Sequence, residues 1–170
     1  RMESIRIGDP LDKNTDLGAI NSHSEYLKIK RLIDMGKNEG AEFYEPARQQ
    51  LPEKGYFVKP SFFNNVSSAF SLNRLEIFGP VLSISTFRTV DEAIAKANDT
   101  NYGLAAGVWS DKSAKIHKVA GRLKAGVVWA NTYNKFDPAS PFGGYFESGW
   151  GREGGKQGLF PYRKIIRGED

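Results

Sequence analysis

The chain has 170 residues, with 39% hydrophobic and 26% charged residues and a formal net charge of +4. This composition is typical of a soluble globular domain with a real core, and no apolar run approaches the roughly 18 residues of a membrane span. There is no cysteine, which excludes disulfides, thiolate metal sites and a cysteine nucleophile within this chain. The two histidines are too few and too far apart to predict a zinc site.

The positive charge is dispersed, because lysine and arginine form no basic block. We therefore expect no nucleic-acid partner. We also expect no membrane association and a cytoplasmic location, since the sequence contains neither a signal-peptide pattern nor a membrane segment. The first residues run almost at once into a segment with the character of the middle of a larger fold, so we interpret the chain as part of a longer protein.

The first predicted helix begins at a capping box over residues 22–25, where a hydroxyl and a carboxylate satisfy free N–H groups. Apolar residues then recur at helical spacing, at Tyr26, Ile29, Leu32 and Ile33. Either Gly36 or Gly40 is expected to end this helix. Residues 41–44 follow as a candidate strand.

Proline and β-forming residues determine the predictions for the middle of the chain. Residues 47–55 are polar and contain proline, which indicates a surface loop. Residues 56–58 and 61–63 lie on either side of Pro60, which favours an edge strand or an irregular extended segment. Residues 81–87 are rich in β-formers and predict a strand.

The second half alternates helices and strands. A capping box at residues 89–92 predicts a helix, and residues 107–109 predict a short strand. Ser110 is expected to cap a third helix that Gly126 ends, and residues 127–130 form an apolar strand of the kind buried on both faces. Strands that alternate with helices of this length predict an α/β fold with a parallel sheet.

Glycine is concentrated near the end of the chain, with seven of the 18 glycines between residues 143 and 158. This density indicates tight turns or close approach of the backbone to another group. Residues 149–154 satisfy the G-x-G-x-x-G pattern formally. A dinucleotide-binding loop needs a strand before this pattern and a helix after it, whereas a proline-containing loop precedes it here and more glycines follow. We do not assign it to dinucleotide binding.

Two sets of residues each admit two interpretations. Glu76 is either a surface carboxylate before a turn or an acceptor for two sugar hydroxyls, as acidic residues are for nucleotide ribose. Four aromatic residues crowd one predicted loop and either line a pocket or pack the loop. They are Tyr133, Phe136, Phe142 and Tyr145.

Five motifs, in order, resemble those of the aldehyde dehydrogenase superfamily, and the resemblance covers nearly the whole chain. They are Glu-Ile-Phe-Gly-Pro at 76–80, residues 97–107, Trp-Ala-Asn-Thr-Tyr at 129–133, Pro-Phe-Gly-Gly-Tyr at 141–145 and Ser-Gly-Trp-Gly-Arg-Glu at 148–153. Residues 9–15 and 134–138 look most like the family-16 branch. The resemblance implies that residues 1–170 form an incomplete catalytic domain, part of a doubly wound parallel sheet with helices on both faces, without the dinucleotide-binding domain.

The resemblance also implies an NAD(P)-dependent enzyme that oxidises aldehydes to carboxylic acids. In this family a cysteine thiolate attacks the aldehyde, hydride passes to NAD(P)⁺, and a glutamate base assists hydrolysis of the thioester. The cysteine, the base and the dinucleotide-binding domain would lie upstream of Arg1, in the N-terminal part of the same protein or in a partner subunit. The resemblance therefore places no catalytic residue in this chain and implies a homo-oligomer.

The resemblance assigns positioning roles to six residues. Glu76 would bind the hydroxyls of the nicotinamide ribose, and Phe78 would lie against the nicotinamide ring, holding it where hydride can reach it. Phe136 and Phe142 would line the entrance for the aldehyde. Two residues of the first predicted helix would contact the adenosine side of the cofactor, namely Glu25 and Lys28.

The sequence departs from the family pattern in ways that keep a second interpretation open. Leu75 stands where the family usually has a second acidic residue, and Phe146 stands where a lysine is expected. With the absence of cysteine, these departures are compatible with a non-catalytic relative that has a structural or partner-binding role. A cysteine in the upstream sequence would distinguish the two.

Overall fold

A computed structural model describes residues 1–164 and divides the chain into two compact units, Arg1–Thr86 and a second unit that begins at Phe87. Each unit combines helices with a parallel pair of strands, which confirms the predicted α/β class. No helix within the described residues is long and apolar enough to cross a membrane.

The first unit contains one long helix and a three-stranded sheet. Helix α1 is His23–Asn38, and the strands are β1 (Glu42–Tyr44), β2 (Ser61–Asn64) and β3 (Val81–Ser83). The strand order is β1-β2-β3, with β2 antiparallel to β1 and parallel to β3. Short 3₁₀ turns occupy Met2–Ser4 and Ser71–Asn73.

Helix α1 begins as its capping box predicts, because the Ser22 hydroxyl accepts a hydrogen bond from the Glu25 backbone N–H at 3.2 Å. The helix continues through Gly36 and stops before Gly40, whose φ of 90° is left-handed. Gly36 lies inside the helix because a Cβ there would collide with the side chains of Leu72 and Phe63. This glycine allows close packing and does not end the helix.

Residues 61–63 belong to the central strand of the sheet, so the prediction of an edge or irregular segment there was wrong. Pro60 precedes β2, and the backbone N–H of Ser61 donates to the Pro80 carbonyl at 2.9 Å. The N–H that proline lacks is therefore not needed by the ladder. Residues 56–58 are outside any strand, and β3 ends at Ser83, well before the predicted end at residue 87.

The core of the first unit packs α1 against one face of this sheet and the segments that flank it. Its buried members are Ile29, Leu32, Ile33, Ala41, Val58, Phe63, Val66, Leu72 and Ile77. Ile29 and Phe63 are fully buried. Burial of each such side chain stabilises the fold by about 1.5–3 kcal/mol.

Over its described residues, 87–164, the second unit contains three helices and a two-stranded parallel sheet. The helices are α2 (Val90–Ala97), α3 (Ser113–Ala120) and α4 (Gly155–Leu159), and the strands are β4 (Ala105–Val108) and β5 (Val127–Ala130). A 3₁₀ turn follows α4 at Phe160–Tyr162. Gly107 of β4 lies opposite Trp129 of β5.

The predicted start of α2 is confirmed, since the Thr89 hydroxyl accepts from the Glu92 N–H at 3.2 Å. The predicted cap of α3 was wrong. Its N-cap position is Lys112, because the Ser110 hydroxyl accepts the Lys112 N–H and forms a turn before the helix. The helix ends at Ala120 with Gly121 as its C-cap, so Gly126 does not end it.

The two strands of the second unit also differ from prediction. Strand β4 begins at Ala105, two residues earlier than expected, and ends before Trp109. Strand β5 is not buried on both faces, since Trp129 is its one buried residue. An apolar run does not guarantee two covered faces, and the sheet that the structure describes has only two strands.

The backbone at Gly126 lies very close to the backbone of the glycine-rich segment at Gly143. A Cβ at Gly126 would overlap the carbonyl oxygen of Gly143, whereas a Cβ at Gly151 would meet nothing within 4 Å. We expect Gly126→Ala to lower the stability of the complete protein by at least about 1–3 kcal/mol, because a backbone carbonyl cannot move as a side chain can. Thermal unfolding of Gly126→Ala beside Gly151→Ala checks this, and equal melting temperatures would contradict it.

Candidate functional site

The residues before β3 form an exposed corner, which we call the cofactor corner and define as Glu76, Ile77, Phe78 and Gly79. Ile77 is buried in the core, whereas Glu76 is exposed and the Phe78 side chain is 70% exposed. Phe78 is one of several large hydrophobic side chains that the described residues expose, so its exposure alone does not mark a site. The corner presents a carboxylate and an aromatic ring two residues apart in the sequence, on either side of the buried Ile77.

The backbone of the cofactor corner is strained at Phe78, whose φ is 59°. Left-handed φ is an outlier for a bulky non-glycine residue, and such outliers cluster at ligand and active sites. The next residue packs closely on the core, because a Cβ at Gly79 would lie 2.8 Å from Cδ1 of Ile29. Fully buried Ile29 on α1 therefore supports the corner from inside the core.

Glu25 and Lys28 lie near the N-terminus of the same helix. Their side chains form an ion pair, with 3.5 Å between Lys28 Nζ and Glu25 Oε2. Both side chains are partly exposed, so this pair adds little stability and its groups remain accessible to another polar partner. The structure thus places both predicted adenosine-side residues on the helix that supports the cofactor corner.

Phe136 and Phe142 line a pocket of about 370 Å³ in the second unit, which we call the entrance pocket. Their rings meet edge to face, with centroids 5.0 Å apart at 75°. Phe142 is fixed by two backbone hydrogen bonds to Glu153, of 2.7 and 2.8 Å. The remaining lining residues are Asp137, Pro138, Ser140, Glu153 and Gly154.

The four loop aromatics divide between the two interpretations of the sequence. Phe136 and Phe142 line the entrance pocket, as one interpretation predicted. Tyr133 packs on Trp129, with ring centroids 4.7 Å apart, and Tyr145 packs in a separate group with Phe146 and Trp150. Pocket lining and loop packing are therefore both present in this segment.

Sequence reasoning missed the role of Trp129. Its ring packs edge to face on Phe136, with centroids 5.7 Å apart, and its indole Nε1 donates to the Lys135 carbonyl at 2.8 Å. The buried indole N–H needs an acceptor, and here that acceptor is the residue before Phe136. The apolar character of β5 alone gave no indication of this contact.

Two asparagines of the sequence motifs have structural roles. The Asn98 side chain accepts from the Lys124 N–H at 2.8 Å and donates to the Arg122 carbonyl at 2.9 Å. The Asn131 side chain accepts from the N–H of Ser110 and donates to its carbonyl, at 2.9 and 3.0 Å. Each side-chain amide donates to one backbone carbonyl and accepts from one backbone N–H of another segment. These two motif asparagines therefore join separate segments of the chain.

An ion pair in the second unit, between Asp91 and Arg122, also joins two segments of the chain. The hydrogen bond from the Arg122 guanidinium lowers the pKa of the Asp91 carboxyl on α2. Within residues 1–164, no group of three or more His, Asp and Glu side chains could hold a metal ion. The described residues present an exposed carboxylate and an exposed aromatic ring at the cofactor corner, and a pocket lined by two aromatic rings in the second unit.

Comparison with known proteins defines the class of the fold. The structure matches a crystal structure of a point mutant of betaine aldehyde dehydrogenase from Staphylococcus aureus in complex with NAD⁺, with a TM-score of 0.89 and 37% identity. That match covers 95% of this chain and 34% of the crystallised chain. The chain therefore has the fold of part of an aldehyde dehydrogenase catalytic domain, as predicted.

The sequence comparisons agree. Betaine aldehyde dehydrogenase from Brucella anthropi is 44% identical over 169 residues, covering 97% of this chain and 34% of its own length. Aldehyde dehydrogenase from Enchytraeus buchholzi is 45% identical over 165 residues, covering 97% and 33%. Residues 1–165 match the aldehyde dehydrogenase family, and the chain belongs to that family. It spans about a third of the length of these relatives.

Proposed function

We propose that this chain is the C-terminal portion of the catalytic domain of an NAD(P)-dependent aldehyde dehydrogenase, which oxidises aldehydes to carboxylic acids. The observation that carries the proposal is the exposed, left-handed Phe78, two residues after the exposed Glu76 in the sequence. The protein as a whole would use NAD⁺ or NADP⁺ as hydride acceptor. In the same proposal, the dinucleotide-binding domain lies outside residues 1–170.

The cofactor corner fits the ribose and nicotinamide of such a cofactor. A carboxylate accepts hydrogen bonds only, and the Glu76 side chain can accept from two adjacent hydroxyls. Phe78 offers an exposed apolar ring face against which a flat heterocycle can pack. The task of both residues is positioning, since a reacting atom must be held within about 3–3.5 Å of its partner.

The remaining site residues receive supporting roles. Phe136 and Phe142 would line the aldehyde entrance, where an aromatic wall excludes water from the substrate. Glu25 and Lys28 would make polar contacts with the adenosine side. The chain contains no cysteine, so the nucleophile would come from the N-terminal part of the same protein or from a partner subunit. We further propose a cytoplasmic homo-oligomer.

A second candidate function is a non-catalytic family member with a structural or partner-binding role. It is favoured by two departures, Leu75 and Phe146, which replace the acidic and basic residues that the family pattern leads one to expect. Both side chains are exposed, so core packing does not account for either.

Turnover by the complete parent protein distinguishes these functions. We expect purified parent protein to form reduced nicotinamide when supplied with NAD⁺ or NADP⁺ and a panel of aliphatic and aromatic aldehydes. Formation should be absent without aldehyde, which controls for reduction by contaminants. A folded parent that binds the cofactor but never reduces it would contradict the enzymatic proposal and support the non-catalytic one.

A further inference from the structure

Arg152 closes the glycine-rich loop that follows the entrance pocket. Its Nη1 atom donates to the carbonyl oxygens of Gly144, Trp150 and Gly151, at 2.7, 3.1 and 2.9 Å. Its guanidinium carbon lies 4.9 Å from the centroid of the Tyr145 ring. One side chain thereby joins both ends of the loop over residues 144–151.

The same side chain lies against the backbone next to Phe142. A Cβ built on Gly143 would approach Arg152 Nη1 to 2.8 Å and Arg152 Cδ to 2.9 Å. Arg152 also directly precedes Glu153, whose backbone makes the two hydrogen bonds that hold Phe142. Arg152 therefore contacts the chain immediately after Phe142 and is bonded to the residue that pairs with it.

We propose that Arg152 is a positioning residue that fixes Phe142 in the entrance pocket and so determines how well the aldehyde binds. This inference rests on the proposed function, which assigns the pocket to the aldehyde. Arginine suits the task because a planar guanidinium can bond several carbonyls while stacking on an aromatic ring. Lysine keeps the charge but has no planar fork, so the loop and Phe142 would lose their fixed position.

A double-mutant cycle in the complete parent protein tests the inference. The variants are Arg152→Lys, Phe142→Ala and the double variant, with Arg48→Lys as a matched control on the exposed surface of the first unit. We expect each single change to raise the KM for aldehyde about fivefold or more, with kcat less affected and the KM for NAD(P)⁺ unchanged. The double variant should match Phe142→Ala, because Arg152 acts through that ring.

The outcomes separate this inference from the proposed function. If Phe142→Ala raises the aldehyde KM and Arg152→Lys does not, the pocket assignment stands and the role of Arg152 is overturned. Multiplying effects in the double variant would also overturn it, since they show independent action. An unchanged aldehyde KM in Phe142→Ala would refute the pocket assignment and this inference together.

A second variant covers the case in which Arg152→Lys does not fold. Tyr145→Leu removes the ring on which the guanidinium stacks but leaves the three carbonyl acceptors. We expect a smaller rise in the aldehyde KM, with the KM for NAD(P)⁺ again unchanged. A folded Tyr145→Leu variant with the normal aldehyde KM would count against the proposal.

Discussion

A Gly79→Ala change in the complete parent protein is expected to slow hydride transfer at least about tenfold and to lower stability by about 1–3 kcal/mol. The added Cβ would lie 2.8 to 3.2 Å from three carbon atoms of Ile29. Ile29 is fully buried on α1, and side chains in a closely packed interior relax only partly. The strain would instead displace the cofactor corner, including Phe78, and a shift of about 1 Å can reduce a rate by two orders of magnitude.

A second substitution at Ile29 tests whether the effect of Gly79→Ala is steric. Ile29→Val removes the closest of the three carbon atoms, so the double variant should recover part of both the rate and the stability. Gly18→Ala is the matched control in the same unit, because its Cβ would make only ordinary contact with Pro10. The measurements are single-turnover hydride transfer and thermal unfolding. Equal loss of rate in Gly79→Ala with and without Ile29→Val would argue against a steric origin.

The sequence was sufficient to predict elements whose signals are local. The caps at Ser22 and Thr89 depend on a hydroxyl and an N–H three residues apart, and both are present as predicted. Ser110 has the same hydroxyl, but it bonds the N–H of Lys112 in a turn before the helix. A cap and a turn use the same local chemistry, and tertiary contacts decide between them.

Position within a sheet could not be predicted from the sequence. Pro60 favoured an edge strand, yet β2 is central because the proline precedes the ladder. The strand starts at Ser61, one residue after the proline, so the ladder loses no hydrogen bond and the strand can be central. Sequence patterns do not locate a strand boundary to within one residue.

In the candidate site, too, local sequence signals predicted which residues matter, but tertiary packing determined their conformation. The motif around Glu76 indicated which residues to examine, and the aromatic loop indicated a pocket. The left-handed backbone of Phe78 and the close packing of Gly79 on Ile29 could not be predicted, because phenylalanine gives no local signal for a positive φ and residues 29 and 79 are 50 positions apart in sequence. Backbone strain of this kind becomes visible only once the surrounding packing is known.

Glu76→Gln in the parent protein is expected to slow hydride transfer by at least about tenfold while leaving the melting temperature nearly unchanged. Each hydrogen bond to a charged group contributes about 1.5–3 kcal/mol, and a difference of about 1.4 kcal/mol is tenfold in rate. Glutamine keeps the shape of the side chain but is a weaker acceptor, so the nicotinamide ribose would be held less firmly. Because Glu76 is exposed, the fold does not depend on its charge.

Single-turnover hydride transfer in Glu76→Gln measures whether Glu76 positions the cofactor. Enzyme loaded with NAD(P)⁺ is mixed rapidly with aldehyde, and the first formation of reduced nicotinamide is followed with saturating cofactor. The control is Glu53→Gln, an exposed carboxylate in the polar loop of the same unit. We expect a transfer rate at least about tenfold lower in Glu76→Gln and normal in Glu53→Gln. Equal rates in the two variants would show that Glu76 is an ordinary surface residue and would contradict the assignment of the cofactor corner.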